Sequence, residues 1–202
     1  MTAAELRSEH LLPPVWKPSQ EVGWWAMVLV CATEAALFAY FIAAYFYLGV
    51  SNPSWPPAGF ELPKLEKPLI MTALLISSSI VLIIAEKQRE HGRRAAYRVG
   101  TIVTVLLGAG FLTIQILEYR EKLRTMSPMS NAYASTFYTI TGFHGAHVAF
   151  GLLLLLYTLL RDSLGRIEPE RPIVVKVSSL YWHFVDIVWL VILTSLYLSP
   201  RF

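Results

Sequence analysis

The sequence predicts an all-α integral membrane protein, built as a bundle of five transmembrane helices. Two observations lead to this prediction. Hydrophobic residues make up 55% of the 202 residues and charged residues only 15%, whereas a soluble domain carries about 25% charged residues. In addition, five apolar stretches are long enough to cross a hydrocarbon core, which takes about 20 helical residues. They cover 22–48, 68–85, 99–117, 134–160 and 177–198.

The five stretches contain only two charged side chains, Glu34 and Asp186. Each stretch is continuously apolar rather than alternating, which favours helices over the strands of a barrel. Together they define a transmembrane domain over 22–198. We expect a cytoplasmic segment, 1–21, before it and a short tail, 199–202, after it.

The segments between the spans predict how the bundle sits in the membrane. The first 21 residues contain acidic residues and prolines but no apolar core, so we expect no cleavable signal peptide there. Eleven of the 17 lysines and arginines lie in the N-terminal segment, the second loop and the fourth loop. Because positive charge concentrates in cytoplasmic loops, the N-terminus is predicted to be cytoplasmic and the C-terminus to lie outside.

Composition excludes several classes of protein. A chain this apolar cannot cover itself with polar surface, which argues against a disordered or nucleic-acid-binding protein, and the net charge is only +3. The single cysteine, Cys31, excludes an internal disulfide and any metal site made of cysteines alone.

Glu34 is the clearest candidate for a functional group, because it lies near the middle of the first span. An ionised, unpaired carboxylate is costly at that depth. We therefore expect a buried carboxyl group that is protonated or hydrogen-bonded to a neighbouring helix. It acts either as a neutral link between helices or in proton handling or lipid contact.

Further polar residues occupy the last three spans. His144 and His147 share a helix face by their spacing, as do His183 and Asp186. Such residue types suit an intramembrane metal or a haem, but an HxxH pair alone is a weak signal. A polar network between helices is the favoured interpretation, with the members Gln115, Glu118, His144, His147, His183 and Asp186.

The tryptophans divide into two groups. Trp24, Trp25 and Trp55 lie near predicted span ends, as in the aromatic belts of membrane proteins. Trp182 and Trp189 form one stripe of the last helix together with Asp186, and this stripe is expected to face protein or an internal cleft rather than bulk lipid.

The chain resembles subunit III of the haem-copper terminal oxidases, in its short five-helix form. The resemblance extends over about 22–198. It rests mainly on the segments GFHGAHV from position 142 and YWHFVDIVW from position 181. Glu34 before an aromatic run, WPPAG from position 55 and QILEY from position 115 support it.

The resemblance implies a non-catalytic subunit of an aerobic respiratory cytochrome c oxidase in the cell's inner membrane. Such a subunit packs on subunit I, joins subunit II in the complex, binds structural phospholipid and supports proton uptake and durability during turnover. It carries no haem, copper or catalytic residue of its own. Glu34 then corresponds to the family's carbodiimide-reactive carboxyl group, and Arg161 to a position that contacts a lipid phosphate. Trp182 and Trp189 are further candidate lipid contacts. Compared with seven-helix members, this chain lacks the first two helices.

Several alternatives remain at this point. Quinol-oxidising members carry a related third subunit, and nitric-oxide-reductase clusters encode a distant homologue. A small transporter or a quinone-binding membrane enzyme could use the same polar groups. The residues around Glu34, His144 and His183 favour the cytochrome c branch.

Overall fold

The computed structural model describes residues 20–52, 54–57, 64–167 and 172–199, and every long element within them is a helix. Each of the five long helices is long and apolar enough to cross a membrane, which confirms the predicted fold class. Their bounds are Gln20–Val50 (α1), Glu66–Glu90 (α2), Arg94–Lys122 (α3), Ala132–Ser163 (α4) and Ile173–Ile192 (α5). A π-helical turn, Leu193–Leu198, continues α5 in the same direction.

The helices extend beyond the predicted spans at most ends. For example, α3 runs over Arg94–Lys122 where the apolar stretch covers only 99–117, because charged residues form helix readily once they reach the polar edge of a membrane. Most of the predicted N-terminal segment, 1–21, lies outside the described residues, as does 200–202 at the other end. The sidedness of the bundle stays a prediction of its charge distribution.

Local sequence explains several helix ends. Asn131 caps the start of α4, since its side-chain oxygen accepts a hydrogen bond from the backbone N–H of Ala134 at 2.8 Å. Pro68 lies in the first turn of α2, where its missing N–H costs nothing. Gly92 lies in the short connection between α2 and α3 at a φ of 76°, a conformation that glycine adopts without steric cost.

α5 is the central helix of the bundle. It packs against α1, α2 and α4, while α2 and α3 form a closely packed pair and α4 joins α3 to the rest. Half of the residues in the most apolar stretch of α5 are buried, compared with 6% in that of α1. α1 therefore lies at the periphery, and most of its surface is left for lipid or for another protein.

Trp182 of α5 fits into a notch formed by two glycines. A Cβ atom added at Gly108 of α3 would lie 2.5 Å from the Trp182 ring, and one added at Gly151 of α4 would lie 3.0 Å from it. The Trp182 side chain is fully buried, and its indole N–H donates a hydrogen bond to the Ser78 hydroxyl at 2.9 Å. The three helices can approach this closely because the glycines have no side chain.

The expectation that Trp182 and Trp189 contact lipid is wrong, since both are in the protein core. Trp189 is 1% exposed, and its indole N–H donates to the Thr72 hydroxyl of α2 at 2.9 Å. The stripe on α5 faces protein, as its spacing with Asp186 suggested. Its tryptophans fix the position of α5 against α2, because each indole must find an acceptor inside the bundle.

One end of the bundle is held by a buried ion cluster around Asp162 of α4. The Arg98 Nε atom lies 2.7 Å from one carboxylate oxygen, and the Arg89 Nε atom lies 3.4 Å from the other. Arg98 also donates to the backbone carbonyl of Asp162 at 2.9 Å. Asp162 is 1% exposed, so this carboxylate links α2, α3 and α4 where the three helices end or begin.

We expect the substitution Gly108→Ala to lower the free energy of unfolding by about 1–3 kcal/mol, because the added methyl group overlaps Trp182 and Leu152. Gly110→Ala is the matched control, since its Cβ would meet only Leu74 at an ordinary distance of 3.5 Å. A titration with denaturing detergent, followed by circular dichroism, measures both. Equal stability of the two variants would show that the notch does not hold Trp182.

Candidate functional site

The polar residues predicted from the sequence lie in four separate places. Glu34 pairs with His147 between α1 and α4, and His183 and Asp186 meet a serine of α2. His144 lies in an aromatic core, and Gln115 and Glu118 of α3 have partners of their own. Within the described part of the chain, the predicted members therefore do not form one continuous network, because they bond to different partners.

Glu34 and His147 form the pair that most resembles a functional site. The Glu34 Oε2 atom lies 2.9 Å from the Nε2 atom of His147. The other ring nitrogen of His147, Nδ1, lies 2.7 Å from the backbone carbonyl of Phe143, one turn earlier in α4. Phe38 packs edge-on against the His147 ring, with 5.1 Å between ring centres. These contacts fix the imidazole on two sides.

The hydrogen bonds of His147 limit how many protons the pair holds. The Phe143 carbonyl can only accept, so Nδ1 carries a hydrogen. Nε2 then either accepts a hydrogen bond from a protonated Glu34, or donates one to the Glu34 carboxylate as part of an imidazolium. In both cases the two side chains together hold one transferable proton and have no net charge. A neutral pair is the arrangement that costs least within hydrocarbon.

Glu34 is less buried than the sequence suggested. Its side chain is 32% exposed in the single chain, whereas that of His147 is 14% exposed. The reason is that α1 packs on α4 and α5 with one side only. The carboxyl group is therefore accessible from the surface of the bundle at membrane depth.

A second polar site lies between α2 and α5. The Ser79 hydroxyl lies 2.9 Å from the Nδ1 atom of His183 and donates a close hydrogen bond to one carboxylate oxygen of Asp186. The other Asp186 oxygen is buried and has no hydrogen-bond partner among the described residues. The Ser79 hydroxyl thus joins α2 to two side chains of α5, and the group is a link between helices.

His144 behaves as an aromatic ring of the core. It is fully buried and stacks on Trp189, with 5.2 Å between ring centres, while Phe111 packs edge-on against it at 5.6 Å. Neither ring nitrogen has a hydrogen-bond partner within the described residues. Both histidines of α4 pack edge-on against Phe38 of α1, but His147 also bonds Glu34 whereas His144 stacks on Trp189.

The two remaining network residues stabilise α3. The Gln115 amide donates to the backbone carbonyl of Thr141 at 2.6 Å, above Gly145, where a Cβ would overlap the amide. Glu118 forms a salt bridge with Lys122, with 2.6 Å between Oε1 and Nζ, and the Lys122 ammonium lies 4.0 Å from the ring centre of Phe137. Both groups bind α3 to α4.

Arg161 lies near the end of α4, next to the ion cluster of Asp162. Its guanidinium donates to the Tyr157 hydroxyl and to the backbone carbonyl of Arg166, each at 3.2 Å. Its Nε–H is buried and has no partner among the described residues. A guanidinium has five N–H donors, so each terminal nitrogen keeps one N–H for another ligand.

Sequence reasoning missed the small polar residues that complete these sites. Ser78 and Ser79 belong to a run of three serines inside the otherwise apolar second span, and this run was a usable signal. Thr72 and Thr141 gave no comparable signal, since a single threonine in a span can also bond to its own helix. Among the described residues, no three His, Cys, Asp or Glu side chains are placed so that they could hold a metal ion.

Comparisons with known proteins all indicate one family. The family model described as "Cytochrome c oxidase subunit III" matches residues 18–200. A protein of Thermostichus vulcanus named "Cytochrome c oxidase subunit 3" is 36% identical over 184 residues, which are 87% of this chain and 87% of that protein. Proteins of the same name from Papio hamadryas and Petromyzon marinus are 34% and 35% identical, over 89% of this chain and 70% of theirs.

We expect dicyclohexylcarbodiimide, an apolar reagent for carboxyl groups, to label Glu34, because this carboxyl is partly exposed at membrane depth. Glu34→Gln should abolish the label while keeping a hydrogen-bonding side chain beside His147. Asp186→Asn is the control and should leave the label unchanged. Mass spectrometry of labelled peptides measures both. Persistent labelling of Glu34→Gln would show that a different carboxyl group reacts.

Proposed function

The chain belongs to the cytochrome c oxidase subunit III family, and we propose that it packs on subunit I of such an oxidase, holds phospholipid and supports proton uptake during turnover. It is a multi-pass membrane protein. The family is a non-catalytic part of the oxidase, in which haem and copper belong to other subunits. The chain's contribution must therefore act through the structure, lipid and protons around those subunits.

The Glu34–His147 pair is the observation that supports a role in proton uptake. It holds one transferable proton between two side chains 2.9 Å apart, at membrane depth and within reach of the bundle surface. Moving that proton between the partners changes the charge of each one but not of the pair. Such a group can take up a proton on one side while it releases another to a partner subunit, so that the pair has no net charge before or after the transfer.

The exposed surface of α1 supports an assembly role. Its large apolar side chains are mostly exposed in the single chain, among them Leu29, Tyr40 and Tyr47. A contiguous apolar surface on a membrane helix is covered by lipid or by another helix. Glu34 lies on this same helix, so a partner or a lipid that covers α1 also completes the surroundings of the carboxyl group.

The assembly proposal is tested by purifying the tagged chain in mild detergent. We expect a haem-containing oxidase to co-purify, with subunits I and II identified by mass spectrometry and the haem by a visible spectrum. Recovery of the chain alone, with transport or quinone-dependent activity in vesicles, would contradict the proposal and favour a stand-alone membrane protein.

The separated subunit is expected to carry no redox cofactor. The measurement is metal analysis together with a reduced-minus-oxidised spectrum after the subunit has been detached from its partners. The intact complex serves as the positive control for both signals. A stoichiometric haem, copper or iron signal in the separated chain would overturn the non-catalytic assignment.

We expect Arg161→Ala to shorten the catalytic lifetime of the complex while its initial turnover rate changes little. The terminal N–H groups of Arg161 that are not bonded to Tyr157 or Arg166 can donate to a lipid phosphate, and one such charge-assisted bond accounts for roughly a tenfold change in lipid affinity. Arg166→Ala is the control, because Arg161 bonds the backbone carbonyl of Arg166 and the substitution keeps that carbonyl. Oxygen consumption over time measures both variants. Immediate loss of activity in a fully assembled Arg161→Ala complex would show a part in the chemistry.

A further inference from the structure

A groove between the start of α2 and the end of α3 combines positive and apolar side chains. It is an open pocket of about 560 Å³, and its charged lining residues are Lys67, Arg120, Glu121 and Arg124. Three cations against one carboxylate leave an excess of positive charge at this end of the bundle. Neither the sequence motifs nor the Glu34–His147 site accounts for this groove.

The lining residues are ordered along the helices. On α3, the apolar residues Ile114 and Leu117 precede the cation Arg120 at spacings of three residues, so the three lie on one face. Arg124 follows in the turn directly after the end of α3 and lines the same groove. On α2, Lys67 lies at the helix start, with an apolar lining residue one turn further in. The groove is therefore charged at the end of the bundle, near the membrane surface, and apolar further into the hydrocarbon.

Two of the three cations form no direct ion pair within the described residues, although the charge of Glu121 also acts on Arg124. Lys67 forms a close ion pair with Glu121 across the two helices, which holds the rim of the groove together. Arg120 and Arg124 make no salt bridge or hydrogen bond through their side chains to any other part of the chain that the structure describes. Two guanidinium groups are thus available for a ligand at the level of lipid headgroups.

We propose that this groove binds an anionic phospholipid, whose phosphate contacts Arg120 and Arg124 and whose acyl chain lies along Ile114 and Leu117. Guanidinium groups bind phosphate oxygens through paired hydrogen bonds. Free phosphate would use the cations but leave the apolar part of the groove unoccupied. A zwitterionic lipid would place its ammonium group beside cations that already lack partners. The groove therefore favours a lipid of net negative charge, such as phosphatidylglycerol.

The proposed site is distinct from Arg161 and does not depend on the function proposed above. Arg98, near the start of α3, contacts Asp162, which is the neighbour of Arg161 in the chain. Arg120 and Arg124 lie at the other end of α3. The groove and Arg161 are thus at opposite ends of the bundle and face different leaflets.

The test is lipid binding by the delipidated full-length chain, measured by native mass spectrometry during titration with phosphatidylglycerol. The double variant Arg120→Gln/Arg124→Gln should raise the Kd at least about tenfold, because it removes the charge-assisted contacts with the phosphate. The control Arg94→Gln/Arg166→Gln removes two exposed cations at the other end of the bundle and should leave the Kd unchanged. Equal Kd values for the two double variants would overturn the proposal.

Further arms distinguish the source of the phosphate and guard against misfolding. Phosphatidylcholine should bind weakly, and inorganic phosphate should not displace phosphatidylglycerol. If phosphate alone displaces phosphatidylglycerol, or if both lipids bind equally well, the assignment of an anionic lipid is overturned. The variant Arg120→Lys/Arg124→Lys keeps the charge and should bind more tightly than the glutamine variant. If the glutamine variant does not fold, the site is tested in the wild-type chain by crosslinking with a photoactivatable phosphatidylglycerol. Its crosslinks should map to 67–70 and 114–124, and crosslinks found only elsewhere would contradict the site.

Discussion

The absence of water from the hydrocarbon core is the constraint on which this bundle depends. An indole N–H buried without an acceptor costs about 1–3 kcal/mol, and two tryptophans of α5 bury their indole N–H groups in the bundle. Both find hydroxyl acceptors on α2: Trp182 bonds Ser78 and Trp189 bonds Thr72. These bonds set the register of α5 against α2, and Gly108 then allows α3 to close over the ring. Apolar packing between the spans adds no such directional information, because lipid is equally apolar.

The central place of α5 also determines which polar residues are left for function. Ser79 bonds both His183 and Asp186 between two packed helices, so these polar groups hold the helices together. α1 is peripheral, and Glu34 bonds His147 while part of its side chain stays exposed. A polar group in the centre of a bundle stabilises it, whereas one on the outer helix can interact with whatever covers that helix. This difference explains why the proposed proton function is assigned to Glu34.

The sequence predicted the five helices and the chemical types of the candidate residues well, because hydropathy and the cost of charge in lipid act on each span separately. It could not predict how these residues group, since grouping depends on which helix faces meet. His144 and His147 share a face by spacing, yet one packs among aromatic rings and the other binds Glu34. Trp182 was a candidate lipid contact and lies in the core. Asp162 was assigned no role at all, although it organises three helices.

The two ends of the bundle use their cations in different ways, which a count of lysines and arginines does not reveal. At one end, Arg89 and Arg98 are held by the buried carboxylate of Asp162. Removing that carboxylate would leave the guanidinium of Arg89, whose side chain is 9% exposed, without its carboxylate partner, and breaking a buried ion pair costs about 3–5 kcal/mol. At the other end, Arg120 and Arg124 have no such partner within the described chain. Their charge holds no helix in place, so it is available to the membrane surface, where an anionic headgroup can neutralise it without disturbing the fold.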